Sequence, residues 1–360
     1  MALYYGADPS RFGTSTAVST TLPAGGTNEL FLKVFAGEVM TTFEEANVMM
    51  PLHTVRTIAS GKSASFPTTG VASATYHTPG DSVLVDGVDA GSDSFADSSK
   101  YLSKPNHAEK IIYIDDLLVS ASFVANIDEA KNHYDVRSIY STEMGRQLAY
   151  SADKALIRCV INGAKNGTDR FGGTSSTYLG LDTDIAAGGS VTGAEWIDAM
   201  FLAAQTFDEK NVPPTGRYAV LPPAEYYKMV ESDTTAINRD YNDPGNGSVA
   251  AGVVHSVAGI RLLKSNHIPT ANENATQDSV LGHAGVLNDT AGTGTGYSGT
   301  NYTNQVGLAF QSEGLGTVKL MDLAVETDYS VERQGTLLVA KYAMGHSPLR
   351  QECLISFKTA

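Results

Sequence analysis

The sequence predicts a mixed α/β or α+β protein organised around one long helix. Three observations carry this. A helical apolar period runs from Asn126 to Gly163, short helices and strands alternate over about 194–310, and strand-like runs close the chain.

The long helix comes first because the rest is arranged around it. Asn126 followed by Glu129 has capping-box form, so the helix is predicted to start at Ile127. Val136, Ile139, Tyr140, Met144, Leu148, Ala152, Ala155, Leu156, Cys159 and Val160 recur at helical spacing. The opposite face carries Arg137, Ser141, Arg146, Asp153, Lys154 and Arg158. The phase slips near Tyr134, which offsets or breaks the first two turns. Asn162-Gly163 is the predicted stop. At about 1.5 Å per residue the helix is roughly 50 Å long, either a core helix of a globular domain or a spine across an elongated, flattened subunit.

The N-terminal part is looser. Residues 1–28 are small, polar and rich in Gly and Thr, and read as an arm or a frayed terminus. Glu29–Thr42 is predicted to be a short helix whose apolar face carries Leu30, Phe31, Val34, Phe35, Val39 and Met40. Leu52–Pro67 reads as extended, and Ala108–Ser120 as a second strand. About 40 residues lie between them, with weak periodicity, Pro79-Gly80, and aspartates at 81, 86, 89, 93 and 97. That stretch is either disordered or a projecting two-stranded loop. Such a hairpin is marginal alone, so the second reading favours an oligomer in which the loop lies on a neighbour.

After the spine helix, Asn166–Gly193 is a polar connector. Ala194–Lys210 is predicted as a helix containing the only tryptophan, Trp196. Arg217–Leu221 follows as a strand, a helix begins at Ala224–Val230, and Gly259–Lys264 is another strand. Thr270–Asn304 reads as a surface loop. Val306–Phe310, Gly316–Glu326 and Thr336–Met344 read as strands returning to the first part of the fold. Leu349–Lys358 is an alternating closing strand.

Composition narrows the function classes. A net charge of −14 argues against general nucleic-acid binding, which needs clustered Lys and Arg. Cys159 and Cys353 imply no disulfide framework, and Cys159 falls on the apolar face as a buried thiol. No secretory signal opens the chain, and the longest apolar stretch, Ile111–Ile127, is broken by Asp115-Asp116. The expectation is a chain made and kept in a cytoplasm.

Catalytic and ligand motifs are weak. Ser60-Gly61-Lys62-Ser63 resembles the end of a P-loop, but the position of its first glycine is Arg56 and no helix follows, so a polar turn is the reading. Gly294, Gly296 and Gly299 satisfy GxGxxG without the strand before or helix after that a dinucleotide site needs. The loop aspartates lack the EF-hand spacing, and the histidines lack zinc-ligand spacing. His133 and His346 read as structural. No nucleophile elbow is present. Neither catalysis, nor a cofactor, nor a metal is expected.

Five segments taken in order carry a resemblance: Leu30–Phe43, Val55–Pro67, Asn132–Ser141, Gly316–Glu326 and Leu337–Glu352. Together they resemble the major capsid protein of short-tailed, T-seven-like (podovirus) double-stranded DNA phages. The resemblance implies the tailed-phage capsid fold of the Hong Kong 97 type. It implies an N-terminal arm over 1–54, an E-loop over 55–110, and a peripheral domain over 111–165 that carries the spine helix and is completed by 316–360. A connector over 166–193 and an axial domain over 194–315 make up the rest.

The implied function is self-assembly as hexamers and pentamers into an icosahedral head around packaged double-stranded DNA. Scaffold-assisted assembly of a procapsid, followed by expansion, is part of that implication. So are a scaffolding protein and a portal protein at one vertex as partners, only weak non-specific contact with DNA, and no membrane. The chain would be assembled in a host cytoplasm and reside in the virion capsid. Phe31, Phe35, Arg56, Lys62, Asp81, Asp86 and Arg137 are the candidate inter-subunit contacts, with non-covalent pairing expected over Lys–Asn crosslinking. An encapsulin-like shell of the same fold, or a soluble α/β enzyme, are the alternatives.

Overall fold

The computed structural model describes residues 47–72, 74–77, 79–80, 105–127, 136–186, 191–232, 247–248, 253–254, 256–270, 272 and 301–359. Four strands precede the long helix: β1 (Thr54–Thr57), β2 (Ser63–Thr69), β3 (His107–Tyr113) and β4 (Leu118–Ala125). The helix α1 (Val136–Lys165) is followed by β5 (Leu181–Ala186), α2 (Gly193–Glu209), β6 (Arg217–Leu221) and α3 (Pro223–Ser232). Then come β7 (Gly247–Ser248), β8 (Val253–Val254), β9 (Ser256–Val257), β10 (Ile260–Lys264) and β11 (Gln305–Gln311). Two long strands, β12 (Leu315–Ser330) and β13 (Gly335–Pro348), lead to β14 (Leu354–Thr359).

These form two main sheets. One is four-stranded in the order β1-β12-β13-β4, and the other six-stranded in the order β5-β14-β11-β6-β10-β9. Strands β2 and β3 pair antiparallel as a separate hairpin stem, from Ser63 opposite Tyr113 to Thr69 opposite His107.

The spine helix joins the two sheets. Its described N-terminal half puts Met144, Leu148 and Ala152 against Val124 of β4 and Leu338, Ala340, Tyr342 and Met344 of β13. Its C-terminal half puts Leu156, Cys159 and Val160 into a second core with Val220, Leu308, Phe310 and Leu354 of the six-stranded sheet. Thirty residues make α1 about 45 Å long, enough to reach both cores.

The central strands of the six-stranded sheet, β14, β11 and β6, are buried on both faces. Val220, Leu308, Phe310 and Leu354 point toward α1, while Ala219, Leu221, Ala309, Ile355 and Phe357 point toward α2 and α3. Side chains alternate along a strand, so these central strands must be apolar at most positions to serve two cores. Trp196 of α2 is fully buried there, edge-on to Phe357, and its Nε1–H donates to Glu225 Oε2 of α3 at 2.9 Å. A reciprocal capping box between Thr192 and Glu195 starts α2.

Several sequence expectations need correction. Helix α1 runs through Asn162-Gly163 to Lys165. Gly163 is there for packing: a Cβ on it would sit 2.5 Å from Leu354 Cδ1 and 3.0 Å from Pro348 Cβ. Gly180 closes in from the other side, where a Cβ would lie 2.6 Å from Ala164 Cα.

The extended run 52–67 is two strands, because the chain leaves β1 with Ile58 N bonded to Lys319 O and turns at Gly61 with φ +119°. The run 108–120 also splits. Ile114 N donates to Lys62 O in the hairpin, and Asp115 N to Met344 O in the four-stranded sheet.

Strand β11 does not return to the first part of the fold but lies between β14 and β6. The closing strand β14 is buried on both faces rather than half-exposed. The offset near Tyr134, the apolar segment with Phe31 and Phe35, the Thr270–Asn304 loop with few exceptions, His133, and Asp81 and Asp86 lie outside the described residues.

Candidate assembly surfaces

The hairpin stem β2–β3 has an inner and an outer side. Ala64 and Ile112 are buried against Ile114, Val318, Ala343 and Leu349 of the body. Strand alternation then turns Ile111 and Tyr113 outward, and they are 42% and 43% exposed. Just beyond the stem, Val71 and Tyr76 are 78% and 98% exposed.

Two of the predicted contact residues lie on this part of the chain. Arg56 of β1 is exposed; its Nη1 donates to Ser65 O at 2.9 Å and its guanidinium lies 5.7 Å from the Phe66 ring centroid. It ties β1 to the hairpin within one subunit. Lys62 is exposed in the turn before β2. Arg137 falls in the first described turn of α1, where only its helical backbone is described.

A second apolar surface lies on the face of the four-stranded sheet that turns away from α1. The register sets Lys341 opposite Val119, Val339 opposite Ala121, and Leu337 opposite Phe123. Val119 and Leu337 are exposed, and β4 is an edge strand. At the far end, Ile127, Tyr329 and Val331 are exposed beside a cleft lined by Asn126, Arg333 and Gln334. Contiguous exposed apolar area of this kind marks interaction surface.

Two anchors hold the projecting parts to the body. At the hairpin, Arg170 reaches Glu352 Oε1 at 2.6 Å and donates through Nη2 to Thr69 O at 3.3 Å. The rings of Phe171 and Tyr178 lie 4.8 and 4.9 Å from its guanidinium. Burial pushes the Glu352 carboxyl above the usual range, although Arg170 pulls the other way. Asp169 fixes the same turn, accepting from the backbone N–H groups of Phe171, Gly173 and Ser175.

Beside residues 47–49, where the description of the N-terminal part begins, Asp153 is fully buried. Its carboxylate accepts from Val48 N at 2.9 Å and Met49 N at 3.0 Å, and it faces His267 Nδ1 at 3.2 Å. Sequence reasoning put Asp153 on the polar face of the spine helix; residues 47–49 and the 265–268 segment cover that face. Met49 is buried in the core, so the arm root is packed as well as bonded.

His53 continues the anchor. Its Nδ1 meets Met49 O at 2.9 Å and its Nε2 meets Thr317 Oγ1 at 2.6 Å. Thr317 Oγ1 in turn lies 2.8 Å from His346 Nδ1. No motif or spacing in the sequence marks Asp153, His267, Arg170 or this histidine pair, because each depends on partners a hundred or more residues away.

Among the described residues no three His, Cys, Asp or Glu side chains come together as a metal site, and no helix is long and apolar enough to cross a membrane. Both cysteines are buried, and neither is part of a disulfide.

The backbone superimposes on solved phage capsids. The capsid structure of cyanophage P-SCSP1u matches with a TM-score of 0.71 and 38% identity, covering 99% of each chain. The mature capsid of bacteriophage PhiM1 matches at TM-score 0.64 and 16% identity over 100% of this chain and 99% of that one, a likeness of fold. Long helix, projecting hairpin and two sheets thus define a capsid subunit with the Hong Kong 97 type fold.

By sequence, the major capsid protein of Escherichia phage T7 is 32% identical over 337 residues, 91% of each chain. That of Enterobacteria phage T3 is 32% identical over 90% of this chain and 89% of its own. The family model for Gp10A-like major capsid proteins matches residues 65–358, and the chain belongs to that family.

Proposed function

We propose that this chain is the building block of an icosahedral phage head that closes around packaged double-stranded DNA. Copies associate as hexamers and pentamers on a scaffolding protein, one vertex takes a portal protein, and the procapsid then expands. The observation that carries this reading is the match, end to end, to the cyanophage capsid chain at 38% identity. The subunit acts as a structural part and not as an enzyme, assembled in a host cytoplasm and retained in the virion.

The mechanism is interface physics. The domain boundaries expected from sequence are arm 1–54, E-loop 55–110, peripheral parts 111–165 and 316–360, connector 166–193, and axial part 194–315, except that β5 from the connector and β14 from the last peripheral part join the six-stranded sheet of the axial part. The exposed outer side of the hairpin, with Ile111 and Tyr113, and the outer face of the four-stranded sheet, with Val119 and Leu337, supply apolar area for neighbours to cover. At about 25 cal/mol per Å² of buried apolar area, a few hundred Å² per contact gives a modest energy that repetition over a shell makes large. The apolar segment with Phe31 and Phe35 adds contacts of the same kind, and the acidic stretch with Asp81 and Asp86 adds polar ones. Exposed pairs formed by Arg56, Lys62 or Arg137 contribute only about 0–1 kcal/mol each.

The charge of −14 suits a container for DNA. A strongly cationic wall would hold DNA and hinder its packing, whereas an acidic subunit repels it. Micromolar binding of the unassembled chain to DNA at physiological salt would count against this.

The test is electron microscopy of the chain expressed with and without a scaffolding protein. Closed shells of uniform diameter with hexameric and pentameric units are the expected result. A monodisperse monomer in both samples would overturn the reading. Shells filled with a cargo enzyme rather than DNA would favour an encapsulin-like role.

A further inference from the structure

The inner side of the hairpin stem overhangs a cleft of about 420 Å³. Its walls include Thr68, Glu109 and Lys110 from the hairpin, Asp169 and Arg170 from the turn after α1, and Gln351; strand alternation turns Glu109, which is exposed, to the opposite side of the stem from Lys110. Most charges here already have partners. Arg170 is paired with Glu352, and Asp169 accepts three backbone N–H groups.

Lys110 differs. Its register position opposite Phe66, two residues before fully buried Ile112, turns it to the inner side of the stem. Among the described residues its ammonium makes no ion pair and no hydrogen bond, and the group that acts on it electrostatically is the buried Cys159 sulfur rather than a carboxylate. Burial pushes that ammonium below the ordinary lysine range. A half-buried ammonium without a counter-charge is unfavourable, and the remedy is a carboxylate brought to it. The chain has 39 acidic against 25 basic residues, so a second copy has carboxylates in excess.

We propose that the cleft beneath the β2–β3 hairpin is a socket for an aspartate or glutamate side chain of a second copy of this chain, which pairs with Lys110. The inference rests on the shell-forming reading and adds to it a specific inter-subunit contact. The cleft lies directly under the strand that also carries outward Ile111, so a copy that covers the hairpin is close enough to reach in. Pairing happens only on assembly: the free subunit bears the unfavourable ammonium and the shell relieves it.

Two stabilities with opposite expected signs test this. The full-length wild type, Lys110→Met and Lys110→Arg are each prepared unassembled and as shells formed on a scaffolding protein. Lys110→Met is expected to raise the melting temperature of the unassembled chain by about 2 °C, because an uncompensated charge is removed. It is expected to lower the guanidinium concentration that dissolves the shells, and Lys110→Arg to restore it. Shells of Lys110→Met as resistant as wild type would overturn the proposal. So would a fall in the unassembled chain's melting temperature matching the loss in shells, because the carboxylate would then belong to the same chain. Failure of the wild type itself to form shells would instead remove the shell-forming reading, and the socket with it.

Discussion

His53 and His346 share one hydroxyl: Thr317 Oγ1 lies 2.6 Å from His53 Nε2 and 2.8 Å from His346 Nδ1. The proton order follows from the fourth partner. Met49 O can only accept, so His53 carries its proton on Nδ1 and leaves Nε2 as an acceptor. Thr317 must then donate to His53 and accept from His346 Nδ1–H. Every position in this chain is satisfied when both imidazoles are neutral. It ties the root of the arm to β12 and β13, on which the hairpin also rests.

This chain makes stability depend on pH. Burial pushes His346 down to about 3, helped by His53 and Lys319. Burial also lowers His53, with Lys319 acting the same way and the Met49 carbonyl and Asp153 opposing. Both imidazoles stay neutral in the folded chain to a lower pH than in the unfolded chain, whose value is about 6.5. Below that, the unfolded state binds more protons, so stability falls as pH drops and is regained above it. Each fully responsive histidine gives about 1.4 kcal/mol per pH unit. Thermal unfolding of the unassembled chain between pH 7.5 and 5 is expected to show this slope, and His346→Gln to flatten it.

Asp153 accounts for the arm's attachment. Asp153→Ala leaves Val48 N–H, Met49 N–H and His267 without their acceptor in a buried place. A loss of about 3 kcal/mol is expected in chemical denaturation. Limited proteolysis of the variant should cut near residues 47–53 under conditions that spare the wild type.

Gly163→Ala separates helix propensity from packing. Propensity alone favours alanine by about 1 kcal/mol. The added methyl would meet Leu354 Cδ1 at 2.5 Å and Pro348 Cβ at 3.0 Å, and overpacking of this kind costs about 1–3 kcal/mol. The melting temperature is expected to fall. A rise would mean that the junction of α1 with β13 and β14 yields more easily than its geometry implies.

Outward residues of the hairpin should affect assembly and not folding. Tyr113→Ser and Ile111→Asp alter exposed side chains, so the unassembled chain should change by no more than about 0.5 kcal/mol. Shell yield on a scaffolding protein should drop several-fold. Equal yield with both variants would show that this side of the hairpin is not an interface.

How much of this could be read from sequence depends on how far each signal reaches along the chain. Helix α2 and strands β6 and β10 were legible because their apolar periods and caps are local. The spine helix was legible for the same reason, but its end was misread. Asn162-Gly163 has the composition of a stop, and only Leu354 and Pro348, nearly two hundred residues on, reveal that the glycine is a packing contact. Asp153 could only be placed on the face opposite the apolar positions, because its partners come from residues 47–49 and 267. Arg170, Lys110 and the His53–His346 pair were missed for the same physical reason: each acquires its environment from strands distant in sequence. Among the predicted contacts, Arg56 turned out to have a bond within its own subunit, to Ser65 O, that nothing in its local sequence announces.

The central claim is that neighbouring copies cover the apolar outer side of the β2–β3 hairpin and the outer face of the β4–β13 sheet in a closed shell. A side-chain-resolution electron cryomicroscopy reconstruction of particles assembled on a scaffolding protein tests it most directly. The account predicts Ile111, Tyr113, Val119 and Leu337 buried against an adjacent subunit, with hexameric and pentameric units closing the shell. Closed particles that leave all four side chains open to solvent, or no closed particles at all, would contradict it.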